Sequence, residues 1–323
     1  MKYGPAKFSR DGLGIGLAEV FEQRLTRAPP LLLRKSRGQR LMIVCDIGGS
    51  LRQQAFETFS FLVIDLDQNG SWLQQQRAFR QQVLPHRRRI AFKALNDAIR
   101  RHALAPFLTL AESLTGVLVT FAIHKNERPT FGSDGAAREE LAACWKPLVI
   151  ARVMWLVHLG AFLISGLSAP GQDVLFIIDE DEVAANVGQL TKLTELIGRA
   201  VSNQGGAMMG HLRVGTTRSD DGSYGLEDLA ALPDLAAGAT AEFICALEKN
   251  GLGPLSPIVQ RMPSSISWKT HAIMSWVINA SDSLARFVCL IDRVPGSSKW
   301  RATIPEWFQV PGLIAMFAAI LVV

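Results

Sequence analysis

Apolar and polar positions along this chain switch between a period of two and a period near 3.6, and the switches mark out strands and helices. Leu41–Cys45 is a continuous apolar run closed by Asp46 and Gly48-Gly49, which predicts a buried strand. Phe56–Asp67 and Ser71–Val83 flank Asn69-Gly70, a dipeptide suited to both positive-φ positions of a type I′ turn, so a hairpin is expected there. Over Arg88–Ala103 the residues Ile90, Leu95, Ile99 and Leu104 keep to one side of a predicted helix while arginines take the other. Pro106 is expected to end that helix, with a second piece over Phe107–Leu114. Gly116–His124 reads as a strand and Asn126–Gly135 as a loop. Residues 136–165 read as two apolar helices broken near Pro147.

Asp173–Asp179 is another near-continuous apolar run, as in a central strand. Gln189–Asn203 is amphipathic and helical up to Gln204-Gly205-Gly206, and His211–Thr216 is strand-like. Leu226–Glu248 is helical with an interruption expected at Pro233. Past Gly251 the composition shifts toward Pro, Ser and Trp. This suggests a basic N-terminal extension over 1–40 with one short helix at Leu17–Thr26, a core over 41–250, and a Trp-rich C-terminal segment over 251–323. The final apolar run, Val310–Val323, falls short of the ~20 residues that span a bilayer, so a closing helix or strand packed on the body or on a partner subunit is expected.

A hydrophobic fraction of 48% with 20% charged residues is that of a globular chain and excludes a disordered one. The four cysteines, Cys45, Cys144, Cys245 and Cys289, are far apart in apolar contexts, and the six histidines show no paired ligand spacing. That argues against a zinc site and for reduced thiols in a cytoplasmic protein. The net charge of +5 is modest, but its distribution is uneven. Arg87, Arg88, Arg89, Arg100 and Arg101 belong to a basic stretch whose single acid is Asp97, and Arg34–Arg40 is a second basic run. Such clusters attract phosphate backbones, so these arginines are candidate nucleic-acid contacts.

Four acidic positions carry the candidate chemistry. Asp46 closes the first strand, Asp179 closes Val174–Ile178, Asp234 lies in Leu232–Gly238, and Asp97 sits in the helix-like stretch between. Carboxylates brought from separate elements to one point form the oxygen-rich site that Mg²⁺ or Mn²⁺ prefers. Lys93, one helical turn before Asp97, is placed to meet a phosphate oxygen. A strand-ending aspartate also commonly caps the turn that follows.

The order strand, hairpin, helix, strand, helix, strand, helix is that of a ribonuclease-H-like α/β core, a mixed sheet with an antiparallel hairpin first, parallel strands after, and helices on its faces. Over roughly 41–250 the chain resembles the bacterial domain-of-unknown-function 3800 proteins, a ribonuclease-H-like group. Val44-Cys45-Asp46-Ile47-Gly48-Gly49-Ser50 is similar to their opening Asp-Glu-Ser-Gly signature, with Ile47 in place of the glutamate. Phe176–Asp181 is similar to their middle aspartate, and Leu232–Ala239 to their late Leu-Ala-Asp-Leu-x-Ala-Gly helix. Their acid-isoleucine-lysine pattern reads Arg89-Ile90-Ala91-Phe92-Lys93 here, which leaves Asp97 as the nearest helix carboxylate and Glu112 next. The resemblance implies a metal-binding carboxylate centre and a nuclease, in a setting such as defence against foreign nucleic acid.

Two other readings stay open. A catalytically incomplete version of the same fold would be a nucleic-acid-binding or assembly subunit, with Trp268–Trp307 or the apolar tail as its contact. Asp46–Ser50 also looks like the first phosphate loop of an actin-like-fold sugar kinase, although Asp179–Glu182 lacks the glycines of that family's second loop. The calcium-loop beginning at Asp65 is rejected, because its twelfth position is Gln76 rather than a glutamate.

Overall fold

The computed structural model describes residues 17–21, 38–49, 55–85, 87–125, 135–204, 208–251, 258–260, 265–279, 281–293, 300–310 and 313–322. Most of the basic run at 34–40, the end of the predicted 17–26 helix, the loop at 126–134 and the 205–206 glycine stop lie outside them. The first strand is β1 (Arg40–Gly48), followed by β2 (Phe56–Asp65), helix α1 (Gly70–Gln82), a 3₁₀ turn at Phe92–Ala94, helix α2 (Ala98–Ala111) and β3 (Gly116–His124). Helices α3 (Gly135–Ala142) and α4 (Pro147–Leu167) precede β4 (Asp173–Ile178), α5 (Val187–Asn203) and β5 (Leu212–Thr216). The chain continues through α6 (Gly225–Lys249), β6 (Ile258–Gln260), α7 (Trp268–Ile278), β7 (Leu284–Arg293), β8 (Trp300–Val310) and β9 (Leu313–Val322).

One mixed sheet organises these elements. Its seven main strands run β5-β4-β1-β2-β3-β7-β8, with β9 and then β6 continuing beyond β8. β1, β2 and β3 pair antiparallel, while β4 runs parallel to β1, and β5 parallel to β4. β7 runs parallel to β3, so the chain beyond Gly251 extends the same sheet. The apolar tail forms β9, paired to β8 on one side and β6 on the other.

Strand alternation sorts the core into two layers. Leu41, Ile43 and Cys45 of β1 face one layer with α4 and α5, and Met42 and Val44 face the other with α1, α2, α6 and α7. Helices α4 and α6 are long and apolar enough to cross a membrane, yet 67% and 72% of their apolar windows are buried inside the fold. They read as core helices of a three-layer α/β/α arrangement.

The Asn69-Gly70 hairpin is absent. Asn69 adopts φ −104° and introduces α1, in which Trp72, Gln76, Phe79 and Arg80 are the buried residues. Their i, i+4, i+7 and i+8 spacing is helical, and that periodicity outweighs the turn dipeptide. The Asn69 side chain instead ties α1 to the start of β3, accepting from the Thr115 amide at 2.8 Å and donating to the Thr115 carbonyl at 3.0 Å.

The expected helix over Arg88–Ala103 begins only at Ala98. Pro106 does not end it, since both Pro106 and His102, whose carbonyl it leaves unpaired, lie on the exposed face where water reaches them. Pro233 likewise lies within an unbroken α6. Pro147 is the first residue of α4, where its missing N–H costs nothing.

Candidate metal centre

The site forms at the carboxyl ends of β1 and β4, and sheet geometry dictates which side it faces. Asp46 follows Val44 by two residues, so it points toward the α6 layer. In the parallel β1–β4 register Cys45 stands opposite Ile178, which makes Asp46 and Asp179 the next residues on neighbouring strands. Helix α6 crosses above them and brings Asp234.

That helix lies unusually close to the sheet because small residues meet there. A Cβ at Gly48 would lie 2.9 Å from the Ala237 carbonyl carbon, and the Thr58 hydroxyl donates to the Ala237 carbonyl at 3.0 Å. Gly49, at φ +76°, has the Phe56 carbonyl oxygen 2.6 Å from where its Cβ would be. The first phosphate-loop glycines of the kinase reading are therefore taken up by packing.

Residues 87–94, irregular up to Ala91 and then the 3₁₀ turn, pack against α6. The Phe92 amide donates to the Asp234 carboxylate at 2.6 Å, and the Lys269 ammonium donates to the Phe92 carbonyl at 3.0 Å while resting 4.1 Å from the Phe92 ring centre. Arg80 donates to the Arg88 carbonyl and Arg100 to the Arg89 carbonyl, each at 2.6 Å. A Cβ at Gly238 would lie 2.4 Å from the Phe92 ring, so only glycine lets this segment seat on α6.

Between these elements lies a cavity of about 1010 Å³, and Asp46, Asp179, Asp181, Asp234, Glu227 and Lys93 all line it. Burial, with the nearby charges of Asp234, Asp179 and Asp181, drives the Asp46 carboxyl well above the usual carboxylate range. Asp234 is pushed up to about 6, first by burial and then by Asp179, against the opposing Phe92 amide, Lys93 and Lys269. Asp181 is raised mainly because its carboxyl end lies against protein, although the residue as a whole is exposed. Glu227 is raised by burial and by Asp179, with Arg89 at 2.7 Å opposing the shift. No protein-family model matches the chain, and no curated protein does. The site therefore rests on its own geometry.

Of the residues expected from sequence, Asp46, Asp179, Asp234, Lys93 and Arg89 line the cavity. Asp97 does not. It caps α2, accepting from the Ile99 amide at 2.8 Å, and pairs with Arg88 and, at 2.8 Å, with Arg100. Those contacts hold its carboxyl below the usual range. Glu112 is likewise engaged, by Arg286 and Trp276. Arg101 stacks 4.4 Å above Trp268, and Arg87 sits at φ +53° outside the cavity lining.

Asp181, Glu227 and Lys269 also line the cavity, although none of them was among the candidate site residues. Glu227 precedes Asp234 by seven residues, two helical turns on the same face, and that spacing is the signal that could have found it. The calcium-loop aspartates are occupied, Asp65 by the Gly38 and Asp67 amides and Asp67 by Arg40. Among the described residues no three His, Cys, Asp or Glu side chains converge as a ready metal cage. The aspartates stand as mutually repelling neighbours around the cavity.

Proposed function

We propose that this protein is a divalent-metal-dependent nuclease with a ribonuclease-H-like core. The observation that carries the reading is the pairing of Asp46 and Asp234. They come from different elements, face one cavity with Asp179, and are both pushed upward by burial and by shared negative charge. A hard cation relieves such charge, and an all-carboxylate donor set fits Mg²⁺ or Mn²⁺ rather than a softer metal. The strand order β3-β2-β1-β4-β5, antiparallel and then parallel, agrees with the ribonuclease-H-like arrangement. The likeness to domain-of-unknown-function 3800 proteins supports the same reading.

In this reading Asp46, Asp179 and Asp234 hold the cation, with Asp181 and Glu227 close by. When bound, the ion supplies an activated water and stabilises the leaving oxygen of a phosphodiester. Lys93 and Lys269 flank Asp234 and orient the phosphate by its charge. The Phe92 amide fixes one Asp234 oxygen, leaving the other free to act. Arg89, exposed and paired with Glu227 at the cavity, can turn to a phosphate oxygen.

Calorimetric titration of Mn²⁺ into the wild type and Asp46→Asn, with a gel assay on single- and double-stranded DNA and RNA, tests the proposal. Uptake and cleavage that both vanish in Asp46→Asn support it, and a folded wild type that takes up no Mn²⁺ overturns it. The second reading, a nucleic-acid-binding subunit without catalysis, is favoured by the commitment of Asp97 to a helix cap. It predicts binding with no cleavage at any metal concentration.

A further inference from the structure

Residues 87–101 carry six cations, Arg87, Arg88, Arg89, Lys93, Arg100 and Arg101, against one acid, Asp97. The fold divides these cations into two sets. Arg88 and Arg100 both pair with Asp97, and Arg100 also donates to the Arg89 carbonyl, so they tie the segment to the start of α2. Arg87, Lys93 and Arg101 are exposed, and among the described residues none of the three has an ion pair. Arg89 is exposed as well and shares its charge with Glu227.

The exposed set is anchored from below. The Arg101 guanidinium rests 4.4 Å from the ring centre of Trp268, the first residue of α7, and a stacked guanidinium loses little freedom when its fork meets a phosphate. Arg87 adopts φ +53°, a left-handed backbone that costs a non-glycine residue about 1–2 kcal/mol. The next carbonyl, that of Arg88, is held by Arg80, which is itself fixed by the buried Asp228. The ridge so formed adjoins the cavity, since Arg89, Lys93 and Lys269 line it while Arg87, Arg101 and Trp268 stand outside. The acids that reach this surface from α6 are engaged: Glu227 by Arg89, Asp228 by Arg80, Asp234 by the Phe92 amide and Glu242 by the Ser267 amide at 2.7 Å. Helix α7 itself carries no acid.

We propose that this ridge, segment 87–93 with the starts of α2 and α7, is the surface on which nucleic acid docks by its phosphates, with Arg87 and Arg101 gripping the backbone outside the carboxylate cavity. This rests on the nuclease reading for the nature of the partner and adds where that partner is held. The docking cations are separate from the residues that take up metal, so binding persists without it. Guanidinium forks match phosphate oxygens in pairs and read no base edges, so single strands and duplexes both dock, in a salt-dependent way.

The test is fluorescence anisotropy in EDTA with a labelled ~20-nucleotide single strand and the duplex of the same sequence, at several salt concentrations. Arg87→Gln and Arg101→Gln are compared with wild type and with Arg199→Gln, which removes the same charge from an exposed position on α5. Thermal melts check that each variant is folded. The expected result is an affinity about threefold to tenfold lower for each of Arg87→Gln and Arg101→Gln, with a salt slope smaller by about 1, and wild-type affinity for Arg199→Gln. Wild-type affinity in either ridge variant, an equal loss in Arg199→Gln, or no binding by the wild type overturns the proposal. Displacement by polyglutamate as effective, charge for charge, as by unlabelled oligonucleotide overturns it in favour of an acidic protein partner. Mn²⁺ uptake, measured separately, tells the two readings apart. Uptake without ridge binding removes the docking surface alone, and ridge binding without uptake keeps the surface while removing the nuclease.

Discussion

At Asp234 burial and neighbouring charge work against ionisation, and the proton is held more tightly in the folded chain than in the unfolded one. The folded pKa is raised, so this group's stabilising contribution is fully present below about 4 and is lost as pH climbs through about 6. Two outcomes follow. The metal-free Asp234→Asn protein is expected to be more stable than wild type at pH 8 by about 1–3 kcal/mol, with the difference gone near pH 4, as read by thermal melts. Mn²⁺ affinity of the wild type is expected to fall as pH drops below about 6, because the cation must displace that proton, and calorimetry across pH 5–8 checks it. Glu227 and Asp97 are expected to part company. Glu227→Gln weakens Mn²⁺ uptake about threefold to tenfold with little change in melting, while Asp97→Ala leaves uptake alone and costs about 1 kcal/mol as a lost cap. Asp46, Asp179 and Asp234 were legible in the sequence because each ends or interrupts an apolar pattern. Glu227 was not, since seven-residue spacing along a helix means nothing until the helix face toward the sheet is known.

Among the elements, segment 87–94 depends most on a single small residue. Gly238 seats the Phe92 ring, and the Phe92 amide in turn orients Asp234. Gly238→Val is expected to lift the segment, lowering stability by about 1–3 kcal/mol and weakening Mn²⁺ uptake together. A melt that shifts while uptake stays unchanged would show that the segment does not orient the carboxylate. Apolar runs revealed β1, β3 and β4 to within a residue or two, because a buried strand needs an unbroken apolar run whatever its neighbours. Turn and breaker residues misled. Asn69-Gly70 opens a helix, and Pro106 and Pro233 lie inside helices, since a single proline is tolerated where water or kinking meets the carbonyl it frees. Local chemistry of that kind is decided by long-range packing, which one sequence read residue by residue does not contain.

Across the whole molecule, β3 is bonded to β2 on one side and β7 on the other, so the strands before and after Gly251 share one ladder. Beneath it Arg80 and Asp228 form a buried pair, with Gln76 donating to the same carboxylate, joining α1 to α6. Removing one partner strands the other charge, and Arg80→Met is expected to cost about 3–5 kcal/mol while preserving a single melting transition in calorimetry. Two separated transitions would show that the sheet unfolds in parts. The wide spacing of the site in the chain has a consequence in time. Its aspartates come from positions 46, 179 and 234, so the first must wait for the last. During synthesis a growing chain that has not yet reached α6 carries β1 to β5 with Asp46 and Asp179 but lacks Asp234. If the protein cuts nucleic acid, that capacity arrives only when α6 docks, and chains that end before α6 lack one of the three aspartates.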